Sequence, residues 1–384
     1  MGPQAVPQGA PALLDAEVRL VPPRRDHVQM LVELGQDAEC LRWGDASPTG
    51  SPGAAESWVA VALERWADPH PWTPRQWVVE VHDGGVWRSA GTVEYRPDGH
   101  GAVEVGYAVH PASRGRGLAV RAVRLALDHG FRDDGVHTAR WRAEVGNWAS
   151  RRVAWRLGFS PPQRVRGLMP GHGTEQVPRD GWISSLRHDE AREAAYPWLV
   201  VPTLHGADVV LRPWRHEDAP RVVEACTDPL TRRYLPALPS PYGMGEAMVF
   251  VDTVRDAAAR GTEVSWCAAD PSTDRCLGAV SLMGLTPESG QGEVGYWLHP
   301  EARGRGAMRA AVRTAVGHGF SPATDGGLGL RRVLLRTAGS NVASQRVALA
   351  LGMTEVGRDR LAETLGDGTV EDMVRFDLLE DEPS

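Results

Sequence analysis

The sequence predicts two consecutive domains of one mixed α/β fold, each with helices on the faces of an open sheet. The chain has 384 residues, which suits two domains better than a single core. Two long blocks recur 189 residues apart without a gap, EVGYAVHPASRGRGLAVRAVRLALDHGF from Glu104 and EVGYWLHPEARGRGAMRAAVRTAVGHGF from Glu293. Within each half, segments with strand periodicity alternate with helical ones, which is typical of a sheet covered by helices.

Two further pairs of blocks repeat in the same order. NWASRRVAWRLGF from Asn147 matches NVASQRVALALGM from Asn341 at a spacing of 194 residues, and VRLVPPRRD from Val18 matches VVLRPWRHE from Val209 at 191. Three matched blocks indicate a duplicated domain, because a solenoid would repeat every 20 to 50 residues or so.

The domain boundaries follow from where the copies stop matching. Pro197 and Pro202 interrupt the stretch between the last strand-like segment of the first half and the strand that begins at Val209. We therefore expect a flexible tail over 1–11, a first domain over 12–195, a linker over 196–206 and a second domain over 207–384.

Each element of the first half has its own signal. Alternating apolar residues predict strands over 17–21, 77–81, 88–95, 103–109, 138–144 and 182–188. Apolar residues at helical spacing predict helices over 26–34, 54–66, 117–129 and 148–157. Glycine-containing turns at 83–85 and 97–99 join the central strands, and the second half repeats this order.

Composition excludes several classes of protein. The net charge of -7 does not favour a nucleic-acid binder, and no apolar run is long enough to span a membrane. The N-terminus lacks the basic and apolar regions of a signal peptide. Four cysteines without a CxxC pair argue against structural zinc or disulfides, so we expect a cytoplasmic protein with no metal. The oligomeric state stays open.

The loop Arg114-Gly115-Arg116-Gly117 carries the strongest chemical signal. It connects a strand to a helix, and its glycines permit positive φ and the close approach of an anion. The helix that follows offers unpaired N–H groups, so the segment predicts a pyrophosphate cradle to which the arginines add charge-assisted bonds. One such loop is weak evidence, but the second half repeats it from Arg303 to Gly306.

The loop resembles the Arg/Gln-x-x-Gly-x-Gly/Ala motif of the GNAT superfamily of N-acetyltransferases. The second half, with EVGYWLHPEARGRG followed by NVASQRVALALGM, is similar to the ribosomal-protein N-terminal acetyltransferase branch. The resemblance covers about residues 12–188 and 203–380. It implies the GNAT fold, with acetyl-CoA as cosubstrate entering where two parallel strands splay apart.

The resemblance also implies which residues bind the cofactor. In the motif itself Met308 stands where the family has Gly or Ala, so a longer side chain is expected near the phosphates of the second site. Asn147 and Asn341 resemble the family asparagine that contacts the pantetheine arm, although both also suit a helix N-cap. The expected cofactor-binding residues are Val109, Arg114, Gly115, Arg116, Gly117, Leu118, Ala119 and Asn147, and in the second half Leu298, Arg303, Gly304, Arg305, Gly306, Ala307 and Asn341.

Four residues are candidates for catalysis. An amine attacks a thioester only after its ammonium proton is removed, and Glu104 and Glu293 are candidate bases that also suit exposed strand ends. Ser150 and Ser344 match the hydroxyl that in this branch protonates the departing thiolate. No nucleophilic elbow occurs, which favours direct attack by the amine. Tyr107 and Tyr296 alternate away from the glutamates and are expected in the core.

The predicted function is acetyl transfer from acetyl-CoA to a primary amine, either a protein N-terminus or a small molecule. Two alternatives remain: only one domain is catalytic, with Ala119 favouring the first, or the chain binds acyl-CoA without turnover. Tryptophans concentrate in the region where this family forms its acceptor pocket, which suits either an aromatic pocket or ordinary packing; they are Trp43, Trp58, Trp66, Trp72 and Trp77.

Overall fold

A computed structural model describes residues 12–44, 49–68, 70, 73–171, 177–286 and 288–380. The chain divides into two compact units, Met1–Ala195 and Tyr196–Ser384, which fold around separate cores. The tail expected over 1–11 lies outside the described residues.

The first unit is built on an eight-stranded mixed sheet with the order β1-β2-β3-β4-β5-β6-β8-β7. Neighbouring strands are antiparallel except β5 and β6, which are parallel and joined by a helical crossover. The strands are β1 (Leu13–Leu14), β2 (Val18–Val21), β3 (Arg75–Asp83), β4 (Val86–Pro97), β5 (Ala102–Val109), β6 (Thr138–Glu144), β7 (Gln163–Met169) and β8 (Arg179–Arg187).

Helices cover both faces of this sheet. They are α1 (Val28–Gln36), α2 (Ala38–Trp43), α3 (Pro52–Ala67), α4 (Leu118–Arg132) and α5 (Trp148–Arg156). One face packs against α4 and α5 around the fully buried Trp77, whose ring lies edge-on to Trp66 at 5.0 Å between centroids. The other face packs against α1 and α3 through a smaller cluster that includes Val78 and Ala108. We call these the α4 face and the α1 face.

The second unit repeats the plan, with the strand order β15-β16-β14-β13-β12-β11-β10-β9 and one parallel pair, β13 with β14. Its strands are β9 (Leu204–His205), β10 (Val210–Arg212), β11 (Glu263–Ala269), β12 (Cys276–Met283), β13 (Gln291–Leu298), β14 (Arg332–Ala338), β15 (Thr354–Thr364) and β16 (Val370–Leu379). Its helices are α6 (Ala219–Thr227), α7 (Pro229–Tyr234), α8 (Met244–Ala259), α9 (Ala307–Phe320) and α10 (Val342–Ala350). The predicted mixed α/β class is confirmed.

The stretch 196–206, expected to be a linker, is folded within the second unit. Its last residues form β9, which pairs with β10, and the indole of Trp266 donates a hydrogen bond of 2.9 Å to the carbonyl of Pro202. Leu199 and Val201 pack against the core of that unit.

Two elements of the first unit have no clear sequence signal. Helix α2 buries none of its residues, so it shows no apolar periodicity. Strand β7 lies at the sheet edge with its first five residues exposed, and alternation is therefore absent.

Candidate active site

The parallel strands separate partway along their length in both units. Pairing between β5 and β6 covers only three residue pairs and stops at Glu104 opposite Arg140. Pairing between β13 and β14 stops likewise at Glu293 opposite Leu334. Beyond these points the strands leave a gap that opens toward the glycine-rich loops, so each candidate base stands at the apex of a splay.

The predicted cradles have the backbone that anion binding requires. Gly115 and Gly117 have φ of 78° and 75°, and Gly117 is the N-cap of α4. Gly304 and Gly306 have φ of 75° and 78°, with Gly306 capping α9. A Cβ at any of the four would meet open space. Each helix therefore presents its free N–H groups to solvent-accessible room, as a pyrophosphate site needs.

The first arginine of each motif is already engaged. The guanidinium of Arg114 pairs with Asp37, the N-cap of α2, and donates a 3.1 Å bond to the carbonyl of Val109. Arg303 pairs with Asp228, the N-cap of α7, at 2.5 Å. The hydrogen bond from Arg114 holds the pKa of Asp37 below its usual range. These arginines tether the cradle to the helix beside it, whereas Arg116 and Arg305 are exposed and unpaired among the described residues.

Breaking one tether is expected to weaken cofactor binding moderately. In Asp37→Asn the loop loses its charged anchor, and we expect acetyl-CoA affinity at the first cradle to fall roughly 3- to 10-fold, about 1 kcal/mol. Titration calorimetry on the full chain measures this. Asp15→Asn is the matched control, because Asp15 makes a comparable pair with Arg121 of α4, 2.9 Å away. Equal losses in both variants would contradict a specific role for the tether.

Each predicted acid forms a pair with a tyrosine. The Ser150 hydroxyl lies 2.8 Å from the Tyr107 hydroxyl and accepts a 3.0 Å bond from the indole of Trp141. In the second unit the Ser344 and Tyr296 hydroxyls are 2.9 Å apart. Burial raises the pKa of both tyrosines to about 12, so their phenols keep their protons at neutral pH.

The expectation that these tyrosines are core residues is therefore incomplete. They do lie on the opposite face from the glutamates, as alternation predicts, but that α4 face also receives α5 and its serine. A signal existed in the repeat, since both halves place Tyr three residues after Glu and Ser three residues after Asn.

Both asparagines cap their helices. The side-chain carbonyl of Asn147 accepts a 3.1 Å bond from the Ser150 N–H, and Asn341 accepts the same bond from Ser344 at 3.2 Å. The cap uses only the carbonyl oxygen, which leaves each amide N–H₂ available to a ligand. The two interpretations made from the sequence are thus compatible.

The two candidate bases have different surroundings. Glu104 forms ion pairs with Arg142 and, at 3.4 Å, with Arg96, so its charge is neutralised on both sides. Glu293 makes no ion pair within 4.0 Å among the described residues, and burial raises its pKa, with Arg336 opposing the shift. A carboxylate with a raised pKa accepts a proton more readily near neutral pH, so Glu293 is the better placed of the two for base catalysis.

A cleft of about 1110 Å³ gathers the site of the first unit. Its lining includes every predicted site residue of that half except Arg116, which lies outside it; these are Glu104, Val109, Arg114, Gly115, Gly117, Leu118, Ala119, Asn147 and Ser150. Trp43 and Trp58 also line it, whereas Trp66 and Trp77 are buried in the core. Trp72 lies outside the described residues.

The methionine of the second motif is buried. Met308 is only 5% exposed and packs with Ala311 and Val312 in the hydrophobic core. Its side chain is therefore held in the core of the unit, which argues against the crowding of the phosphates expected from the sequence. Ala307, expected to touch the cofactor, is also buried by its side chain, so only its backbone is available there.

Residues 17–160 and 208–354 each match one family of proteins, described as the acetyltransferase (GNAT) domain. The chain belongs to this family. GNAT enzymes transfer the acetyl group of acetyl-CoA, and acetyl-CoA is the cosubstrate of this chain. The open glycine cradles and the size of the first cleft fit such a ligand.

Individual GNAT proteins resemble one half of the chain. An otherwise uncharacterized N-acetyltransferase of Bacillus licheniformis, p20, is 24% identical over 180 residues, 47% of this chain and 97% of its own length. YdaF of Bacillus subtilis strain 168, named as a candidate ribosomal N-acetyltransferase, is 31% identical over 105 residues, 27% of this chain and 54% of its own length. A solved ribosomal-protein-S5-alanine acetyltransferase from Vibrio fischeri is 19% identical, with a TM-score of 0.42, and covers 48% of this chain and 99% of its own.

The described part of the chain contains neither a membrane-spanning helix nor a cluster of metal-binding side chains. None of its helices is both long and apolar enough to cross a membrane. No group of three or more His, Cys, Asp or Glu side chains among those residues is arranged to hold a metal ion.

Proposed function

We propose that each domain transfers an acetyl group from acetyl-CoA to a primary amine by direct attack. The observation that carries the proposal is the repetition, in both units, of one constellation: a splayed strand pair with a glutamate at its apex, a glycine cradle and a Tyr–Ser hydroxyl pair.

The proposed chemistry places a base and an acid on opposite faces of one strand. The glutamate of the α1 face removes a proton from the acceptor ammonium, directly or through water, and leaves a neutral amine. Acetyl-CoA supplies the thioester whose C–S bond breaks as the amine forms its N–C bond. The serine hydroxyl of the α4 face donates a proton to the departing sulfur and is resupplied by its tyrosine partner. The nitrogen of the tetrahedral intermediate releases its second proton to water, and the tyrosine regains its proton from solvent. The products are the N-acetylated amine and the free thiol of CoA.

One observation favours a variant in which the second domain carries most of the activity. Glu104 is held between two arginines, while Glu293 lacks an ion pair among the described residues and its pKa is raised. This reverses the preference drawn from the sequence, which relied on crowding by Met308.

Thiol release from acetyl-CoA over a panel of primary amines tests the proposal in the full chain. Gly117→Glu and Gly306→Glu each disable one cradle and assign the turnover to a domain. Turnover in both single variants supports two working sites, and turnover in one alone selects the one-domain alternative. Acetyl-CoA binding without thiol release over the whole panel would overturn the proposal in favour of a binding protein.

The pH profile of the second domain checks the role of Glu293. In the Gly117→Glu background, kcat with a peptide acceptor is expected to rise with pH through the elevated pKa of this carboxyl, because only its ionised form accepts a proton. Glu293→Gln should remove this limb and lower kcat by roughly 10²- to 10⁴-fold, the usual worth of a general base. A limb unchanged in Glu293→Gln would instead belong to the acceptor amine itself.

A further inference from the structure

The α1 face of the first domain carries a surplus of positive charge. Across the antiparallel pair Glu104 stands opposite Arg96, and Glu94 stands opposite Gly106 on the same face. Both carboxylates have arginine partners, Arg96 for Glu94 at 3.7 Å and Arg142 for Glu104. These four side chains balance one another.

Arg65 of α3 supplies the surplus. It lines the cleft and donates a 3.0 Å bond to the side-chain carbonyl of Gln76, but it has no carboxylate partner among the described residues. Arg96 is 43% exposed and holds its carboxylates only at 3.4 and 3.7 Å, so its guanidinium is also available to a ligand. The acceptor side of this cleft is therefore suited to an anion.

The second domain replaces the same positions. In the sheet register Met283 stands opposite Glu293, where the first domain has Arg96 opposite Glu104. Four buried residues in each of α3 and α8 follow one spacing, 55-59-62-66 and 247-251-254-258, and this alignment places Ala257 at the position of Arg65. Two arginines of the α1 face are thus lost.

The two carboxylates are retained in number, because Ser281 stands where the first domain has Glu94 and Glu263 brings a second carboxylate at another position. Glu263 at the start of β11 also stands opposite Met283, so Glu263 and Glu293 flank one residue on the same face. Burial raises the pKa of both carboxyls, and the only opposing influences are the Ser281 hydroxyl for Glu263 and Arg336 for Glu293. Half-buried aromatic rings pack on this face as well, with Trp214 5.1 Å from Phe250 and 6.0 Å from Trp297.

We infer that the two domains prefer acceptors whose amine is flanked by groups of opposite charge. The first takes amines with anionic neighbouring groups, and the second takes amines with cationic neighbouring groups. The inference deepens the proposed function and relies on it only for the position of the acceptor. An anion compensates Arg65, whereas a cation compensates Glu263 and Glu293 and suits the aromatic rings on the same face.

The test uses full chains with one cradle disabled and four probes. The acidic probes are glutamate and a peptide with acidic residues after its N-terminus; the basic probes are a linear diamine and a peptide with arginines there. In Gly306→Glu, where the first domain works, acidic probes should be favoured roughly tenfold in kcat/KM, the effect of one or two partly buried charges. Gly117→Glu should favour basic probes to a similar extent. Comparing the peptide with the small molecule of the same charge shows whether the charged acceptor is a protein N-terminus or a small amine.

Charge-neutral variants attribute the preferences to named side chains. Arg65→Gln should erase the acidic preference of the first domain, while Arg132→Gln, at the far end of α4, should not. Glu263→Gln should erase the basic preference of the second, while Glu355→Gln, on the edge strand β15, should not. The same charge preference in both single-cradle chains, or none, overturns the inference.

Binding separates this inference from the proposed function. Calorimetric titration of the four probes into the CoA-loaded full chain reports charge selection without turnover. Charge-selective binding without thiol release would support the inference and contradict the proposed function, and turnover without charge selection would do the opposite. If the chain shows no charge-selective binding and no turnover, both proposals are overturned.

Discussion

Gly117→Glu is expected to weaken acetyl-CoA binding strongly at the first cradle and leave the second intact. Gly117 caps α4 with φ of 75°, and a carboxylate there would stand against the pyrophosphate at the positive end of the helix. Losing one or two charge-assisted bonds should weaken binding about 10²- to 10³-fold. Calorimetry should then find one site per chain in place of two, and Gly306→Glu should remove the other.

Three variants separate repulsion from backbone strain. A non-glycine residue in this conformation is strained by about 1–2 kcal/mol, which a folded domain tolerates. Gly117→Ala carries the strain without the charge and should reduce affinity far less. Gly84→Glu and Gly368→Glu place the same residue at exposed positive-φ positions with open space around them. Loss of binding in either control would refute the cradle assignment.

Ser344→Ala is expected to produce the second large effect, on turnover. In a chain whose first cradle is disabled, kcat should fall roughly 10²-fold or more, because the departing thiolate loses its proton donor. Affinity for acetyl-CoA should change little, because the cap from Asn341 uses the backbone N–H of Ser344, which alanine keeps. Stopped-flow thiol release and a binding titration give the two values.

Tyr296→Phe should lower kcat less, by about tenfold, because Ser344 still reaches the thiolate while its 2.9 Å partner is gone. The second domain suits this experiment better than the first, since Ser150 also holds the indole of Trp141 and its loss would leave that donor unpaired. An unchanged kcat in Ser344→Ala would contradict the role of this serine as the proton donor and leave it only a structural role next to the helix cap.

Local patterns were enough to predict the sheet and the cradles. The strand predicted over 103–109 is β5, Ala102–Val109, and the helix predicted from 117 is α4, which begins at Leu118. Both follow from periodicity and from a glycine whose positive φ ends one element and begins another. Because the domain is duplicated, each pattern occurs twice, which supports its interpretation.

Contacts between distant segments could not be predicted in this way. The pairing of Arg114 with Asp37 joins residues 77 positions apart, and nothing in the composition of 35–74 announces it. The orientation of Met308 depended on how α9 packs, which a motif alone does not specify. Part of the difference between Glu104 and Glu293 lies in strand β4 against β12, outside the matched blocks, where Arg96 faces Glu104 and Met283 faces Glu293.

The alternation of β5 and β13 has a consequence for how such a chain diverges. Glu104 and Gly106 lie on the α1 face, which we propose receives the acceptor, while Tyr107 lies on the α4 face with its hydroxyl near that of Ser150, so under this proposal one strand serves two separable tasks. Substitutions on one face of the strand leave the side chains of the other face unchanged. In a duplicated chain, substitutions at positions such as Arg96 or Met283 are therefore expected to alter acceptor preference while the acetyl-CoA site is retained.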